Sequence, residues 1–103
     1  MTLTRIMEED RRLVILRCLH EDADYSINES LLVKALAAYG HGVGRAVVLA
    51  DLAWLAEVGL VTVEALPRAG REPLQVATLT NRGAEVAEGR ARVPGVARPT
   101  PGG

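Results

Sequence analysis

Residues 40–65 read GHGVGRAVVLADLAWLAEVGLVTVEA, and the hydrophobic period changes within them at Gly59. From Arg45 to about Glu57, the residues Val47, Ala50, Trp54, Leu55 and Val58 recur at three- and four-residue spacing, which predicts a helix with one face on a core. That phase leaves Val48 and Leu49 facing outward. Gly59 can take the left-handed conformation that stops a helix, and the period then drops to two. Leu60-Val61-Thr62-Val63-Glu64-Ala65 is rich in β-formers and predicts a strand. Upstream, Gly40-His41-Gly42-Val43-Gly44 is a tight turn between this helix and an earlier one, as in a helix-turn-helix unit.

The earlier helix carries Leu31, Leu32, Ala35, Leu36 and Tyr39 at helical spacing, and Gly40 ends it. Ser26 followed by Glu29 has the S-x-x-E spacing of a capping box, which predicts the helix start there. Before it, Glu21 to Tyr25 is acidic and breaks a first helix over residues 4–20, built on Ile6, Met7, Leu13, Val14, Leu16 and Leu19 with Thr2 or Thr4 as cap. The run Leu13-Val14-Ile15-Leu16 has no polar face, so the core or a partner chain must cover it on several sides.

Downstream, Leu66 to Pro73 holds Pro67, Gly70 and Pro73 and reads as the polar tip of a hairpin, and Leu74 to Leu79 as its second strand. Thr80 or Asn81 caps a short helix over Arg82 to Glu88. The last residues, 90–103, read RARVPGVARPTPGG, the composition of a flexible tail. The expectation is one domain, residues 1–89, of α+β class and mainly helical. Its order is helix, helix, helix, strand, strand, helix, the layout of a winged helix-turn-helix.

Composition narrows the chemistry. A chain of 103 residues forms one small core. With 12 basic and 13 acidic residues, the net charge of −1 gives no general attraction to nucleic acid, so any phosphate contact must be local. No Phe, one Trp and two Tyr are too few for a stacking platform on single strands. Cys18 stands alone, which excludes an internal disulfide and fits a reducing compartment. Cys18 and His20 lie two apart on different helix faces, and with His41 they do not form a ligand set, so no metal or cofactor is expected. The carboxylates, Asp10 and Asp51 among them, belong to no catalytic motif, and an enzyme is not expected. Glu8, Glu9 and Asp10 rule out a signal peptide at the start. Ala46 to Val63 is broken by Asp51 and Glu57, so no membrane span is expected and the protein reads as cytoplasmic.

Several words carry a family likeness. Asp51-Leu52-Ala53-Trp54-Leu55-Ala56-Glu57-Val58-Gly59-Leu60-Val61 resembles a winged-helix recognition helix running into the first wing strand. Ala77-Thr78-Leu79-Thr80-Asn81-Arg82-Gly83 resembles the second wing strand entering the last helix of ArsR-like and MarR-like regulators. With Glu9-Asp10-Arg11-Arg12-Leu13-Val14-Ile15-Leu16-Arg17 and Gly89-Arg90-Ala91-Arg92-Val93-Pro94-Gly95-Val96, the chain is similar over nearly its whole length to small ArsR-like proteins of Mu-like phages and prophages.

The resemblance implies a regulator in a bacterial host cell that binds duplex DNA as a homodimer, with the third helix in the major groove and the wing on the backbone. Arg45 at the start of that helix and Arg68 and Arg71 at the wing tip become candidate phosphate or groove contacts, with Lys34 and Arg82 as further backbone contacts. Glu72 lowers the field beside the tip, and Arg90, Arg92 and Arg98 place loose positive charge on the tail. One departure matters: the third helix opens Arg45-Ala46-Val47-Val48-Leu49-Ala50, where a base-reading helix carries polar side chains. Each good bidentate base contact is worth roughly 1–3 kcal/mol of discrimination, and methyl groups supply none of it. The alternative is an interaction module that binds another phage protein through Val48 and Leu49 without binding DNA.

Overall fold

The computed structural model describes residues 2–100. In chain order it contains α1 (Leu3–Glu21), β1 (Ser26–Asn28), α2 (Glu29–Ala38), α3 (Arg45–Glu57), β2 (Val61–Arg68), β3 (Arg71–Leu79) and α4 (Asn81–Ala87). The strands form one antiparallel sheet in the order β1-β3-β2. The helices pack through Ile15, Leu16 and Leu19 of α1, Leu32 and Leu36 of α2, Val48, Leu52 and Leu55 of α3 and Val86 of α4, closed by Leu60, Val61 and Ala77. This core is aliphatic apart from Cys18, with Trp54 packed against its edge, and each fully buried Leu, Ile or Val contributes about 1.5–3 kcal/mol over an exposed one.

Local chemistry sets the element ends. Thr2 caps α1 by accepting the Arg5 amide at 3.2 Å, and the helix stops at Glu21. In the turn that follows, the Asp22 carboxylate accepts from the Asp24 and Ser26 amides at 3.0 and 3.2 Å. Thr80 caps α4 by accepting from the Gly83 amide, while its hydroxyl donates to the Gly59 carbonyl at 2.8 Å. Gly83 is an absolute steric requirement at that junction: a Cβ there would lie 2.1 Å from the Leu60 carbonyl oxygen. The Leu79-Thr80-Asn81-Arg82-Gly83 word is thus the joint that seats α4 against the start of β2.

The structure corrects five expectations. The first concerns a strand that local pattern does not reveal. Ser26 is no capping residue: it lies in β1, opposite Thr78, with the two hydroxyls 2.6 Å apart. Asn28 caps α2 instead, accepting from the Leu31 amide at 2.9 Å. The short run 26–28 pairs because β3 offers it a free edge, and three residues are too few to announce a period.

The second correction is the rotation of α3. Val48, Asp51, Leu52 and Leu55 are its buried residues, while Val47 and Ala50 are exposed. The face read from Val47, Ala50, Trp54, Leu55 and Val58 is thus off by about one residue, because the buried side also takes Asp51, the partner of two arginines. Third, the hairpin tip is no long loop: β2 and β3 run on to a two-residue turn, Ala69–Gly70, with a register irregularity between Leu66 and Arg68 that accommodates Pro67. Fourth, the apolar face of α2 is narrower than its pattern, since Leu31 and Tyr39 are exposed.

Fifth, residues 90–100 are folded back on the domain where a flexible tail is expected; the expected tail's last residues, 101–103, lie outside the described residues. Val93 is 8% exposed, the Ala97 amide donates to the Glu9 carbonyl at 3.0 Å, and the Gly95 carbonyl accepts from Arg12 at 3.2 Å. Gly95 has φ +100, and a Cβ would stand 2.6 Å from the Trp54 ring, so the strap crosses the indole only with a glycine at this position.

Candidate functional site

Two charged clusters organise the molecule, and they differ in what they expose. In the first, Asp51 of α3 is 2% exposed and accepts from Arg11 and Arg12 of α1. Arg12 lies flat against Trp54, its guanidinium carbon 4.0 Å from the ring centroid, and its Nη1 reaches the strap at Gly95. Hydrogen bonding to Asp51 raises the Arg11 pKa above its ordinary value against the opposing effect of burial. The cluster locks α1, α3 and the strap together.

The second cluster is a corner where α2, α3 and the hairpin meet. The Arg45 guanidinium donates through Nε to Glu29 and through Nη1 to Glu72 at 2.7 Å. Glu29, 2% exposed, also accepts from the Gln75 amide of β3 at 2.9 Å, so one carboxylate ties α2, α3 and the sheet. Hydrogen bonding to Glu29 is the main cause holding the Arg45 pKa above its usual value, with Glu72 adding to it. Beside them, Arg68 and Arg71 are direct cross-strand partners flanking the turn, and Arg68 Nε donates to the Glu72 carbonyl at 2.9 Å.

The fold therefore sets Arg68 and Arg71 opposite each other at the hairpin turn and links Arg45 to the same hairpin through Glu72. It does not bring in the other two expected contacts. Arg82 sits at the start of α4, separated from the hairpin turn by the length of β3, roughly 25 Å. Lys34 lies on the exposed side of α2 and takes no part in these contacts. Val48 is 0% exposed and is withdrawn from any surface, because the rotation of α3 puts it in the core. Leu49 is half-buried and lines an open groove of about 310 Å³ with Leu52, Ala53, Ala56, Val63 and Gln75.

Glu29 is the member of the corner that local pattern missed. Its capping-box spacing explained it too cheaply, and no nearby residue signals burial. The remaining titratable candidates stand apart. Cys18 is buried, and burial raises its thiol pKa. His20 pairs with Glu88 and His41 with Asp10, each at 2.7 Å. Among the described residues, no three His, Cys, Asp or Glu side chains gather to hold a metal ion, and no helix is long and apolar enough to cross a membrane.

Fold and corner define a small α+β protein with an antiparallel hairpin beside a helical layer and an arginine-rich junction between them. No family profile matches the chain. It is 56% identical over 96 residues to the uncharacterized protein gp26 of Escherichia phage Mu, covering 93% of this chain and 94% of that protein. It is also 40% identical over 82 residues to an uncharacterized protein of Haemophilus influenzae, covering 80% of this chain and 76% of that one. The chain belongs to this family of Mu-like phage proteins.

Proposed function

We propose that the protein is a winged helix-turn-helix, ArsR-like in layout, that binds duplex DNA as a homodimer through phosphate contacts and acts as a transcriptional regulator of phage type. The element order, with β1 on one side of β3 and a long β2–β3 hairpin as wing, supports the layout. The observation that carries the binding is the juxtaposition of Arg68 and Arg71 across the hairpin turn, on the hairpin whose Glu72 reaches Arg45. Like charges directly opposite one another on a hairpin are unfavourable, and an anion between them relieves the cost. The outer side of α3 presents Ala46, Val47, Ala50 and Ala53, which offer no hydrogen-bond donors to base edges. The binding proposed is therefore carried by the backbone and tolerant of sequence. The apolar Leu3, Ile6 and Met7, exposed at the start of α1, supply a face for the second copy.

The test is fluorescence anisotropy of a labelled random duplex at several salt concentrations. Three phosphate contacts per chain, doubled in the homodimer, correspond to a log–log salt slope of about −5. Arg68→Ala with Arg71→Ala should weaken binding and flatten that slope; no binding by the wild type at low salt ends the reading.

The groove along Leu49, Ala53 and Val63 favours a second reading, an interaction module that seats an apolar segment of another phage protein. Leu49→Glu should then abolish that complex and leave DNA binding unchanged.

A further inference from the structure

The corner contains its own competing anion. Arg45 is held by two carboxylates of opposite accessibility: Glu29 has a side chain 2% exposed, and Glu72 one 76% exposed. Glu29 cannot leave, because its other oxygen holds the Gln75 amide and a vacated position would leave a charge buried. Glu72 can leave at little cost, since an exposed ion pair is screened by solvent and contributes little. The Arg45 side chain is itself 43% exposed, so whatever replaces Glu72 is reached from solvent. Glu72 also sits one residue after Arg71, and its carbonyl holds Arg68 Nε at 2.9 Å.

We propose that Glu72 is a built-in stand-in for a phosphate group, occupying Arg45 in the free protein and displaced when an anionic backbone enters between the hairpin turn and the start of α3. Once Glu72 swings out, the solvent side of Arg45 is open to an anion, and the hairpin carries both the guanidinium groups of Arg68 and Arg71 and the group that must yield. Two consequences follow: binding is weaker than three arginines imply, and a change at one exposed side chain strengthens it. This inference rests on the DNA-binding reading above.

The experiment compares the full-length wild type, Glu72→Gln and Glu64→Gln by anisotropy with the same random duplex across a salt series. Glu64 lies on β2 and forms no ion pair among the described residues, so it removes one negative charge without releasing Arg45. The expected result is binding about two- to fivefold tighter for Glu72→Gln, the equivalent of one exposed ion pair. The salt slope should steepen by up to about one contact, and Glu64→Gln should behave as wild type. Wild-type binding that Glu72→Gln leaves unchanged overturns the stand-in role and spares the DNA reading. An equal gain from Glu64→Gln also overturns it, since net charge then explains the effect. Failure of all three proteins to bind at low salt overturns both.

Discussion

Asp51 shows how much one side chain can determine here. It is buried against two guanidinium groups from consecutive residues of α1. Asp51→Ala removes the acceptor and leaves Arg11 and Arg12 half-buried without it, which should cost about 3–5 kcal/mol. Urea denaturation of the variant checks this; a loss under 1 kcal/mol would mean the arginines find other partners. Gly83→Ala drives a methyl group onto the Leu60 carbonyl and the Leu79 side chain, so α4 must lift from β2. A fall in stability of at least about 2 kcal/mol is expected, within the range for overpacking at a site that cannot relax. Gly95→Ala meets the Trp54 ring instead, at the edge of the fold. It should displace the strap and shift Trp54 fluorescence to the red while the melting transition stays cooperative.

At the scale of elements, the joints between helices are ionic and therefore respond to pH. Glu88, at the end of α4, accepts from His20 of α1 and from Arg90, and the hydrogen bond to His20 is the main cause of its lowered pKa. A carboxylate whose pKa falls on folding contributes stability above its ordinary range and loses that contribution as the pH drops through its lowered value. The difference in melting temperature between wild type and Glu88→Gln should therefore be present at neutral pH and vanish in acid. A difference that stays constant with pH would remove the α1–α4 pair from the account. The strap is the other joint: it covers Trp54 and contributes Val93 to the core.

For the whole molecule, the arrangement of charge matters more than its sum. The formal charge is −1, yet the hairpin, α2 and α3 converge on a corner where Arg45 meets Glu29 and Glu72, and the same hairpin carries Arg68 and Arg71 at its turn. The prediction that follows from the proposed function is a salt-sensitive interaction with duplex DNA that shows little preference among sequences, because that reading puts the arginines on phosphates and no donors on base edges. Competition between unrelated duplexes checks it; a preference above about a hundredfold would require base readout that the outer side of α3 does not supply. Sedimentation with and without duplex tests the proposed homodimer in the same samples, and a monomer mass in both would remove it.

What was legible locally was the order of the helices and of the hairpin, the caps at Thr2 and Thr80, and the stops at Gly40 and Gly59. These follow from neighbours within one or two turns, whose spacing and backbone preferences are written in the chain. The strand β1, the rotation of α3, the docking of the strap and the pairing of Arg45 were decided by tertiary structure. Their partners are remote: Arg11 and Asp51 are 40 residues apart, Glu29 and Gln75 46, and Arg12 and Gly95 83. A charged residue reads as solvent-facing until its counter-charge is known, and only folding brings that counter-charge within reach. The sequence by itself therefore determined which segments become helices and strands, and the tertiary structure decided which of their charges are buried, which are neutralised and which remain for a partner.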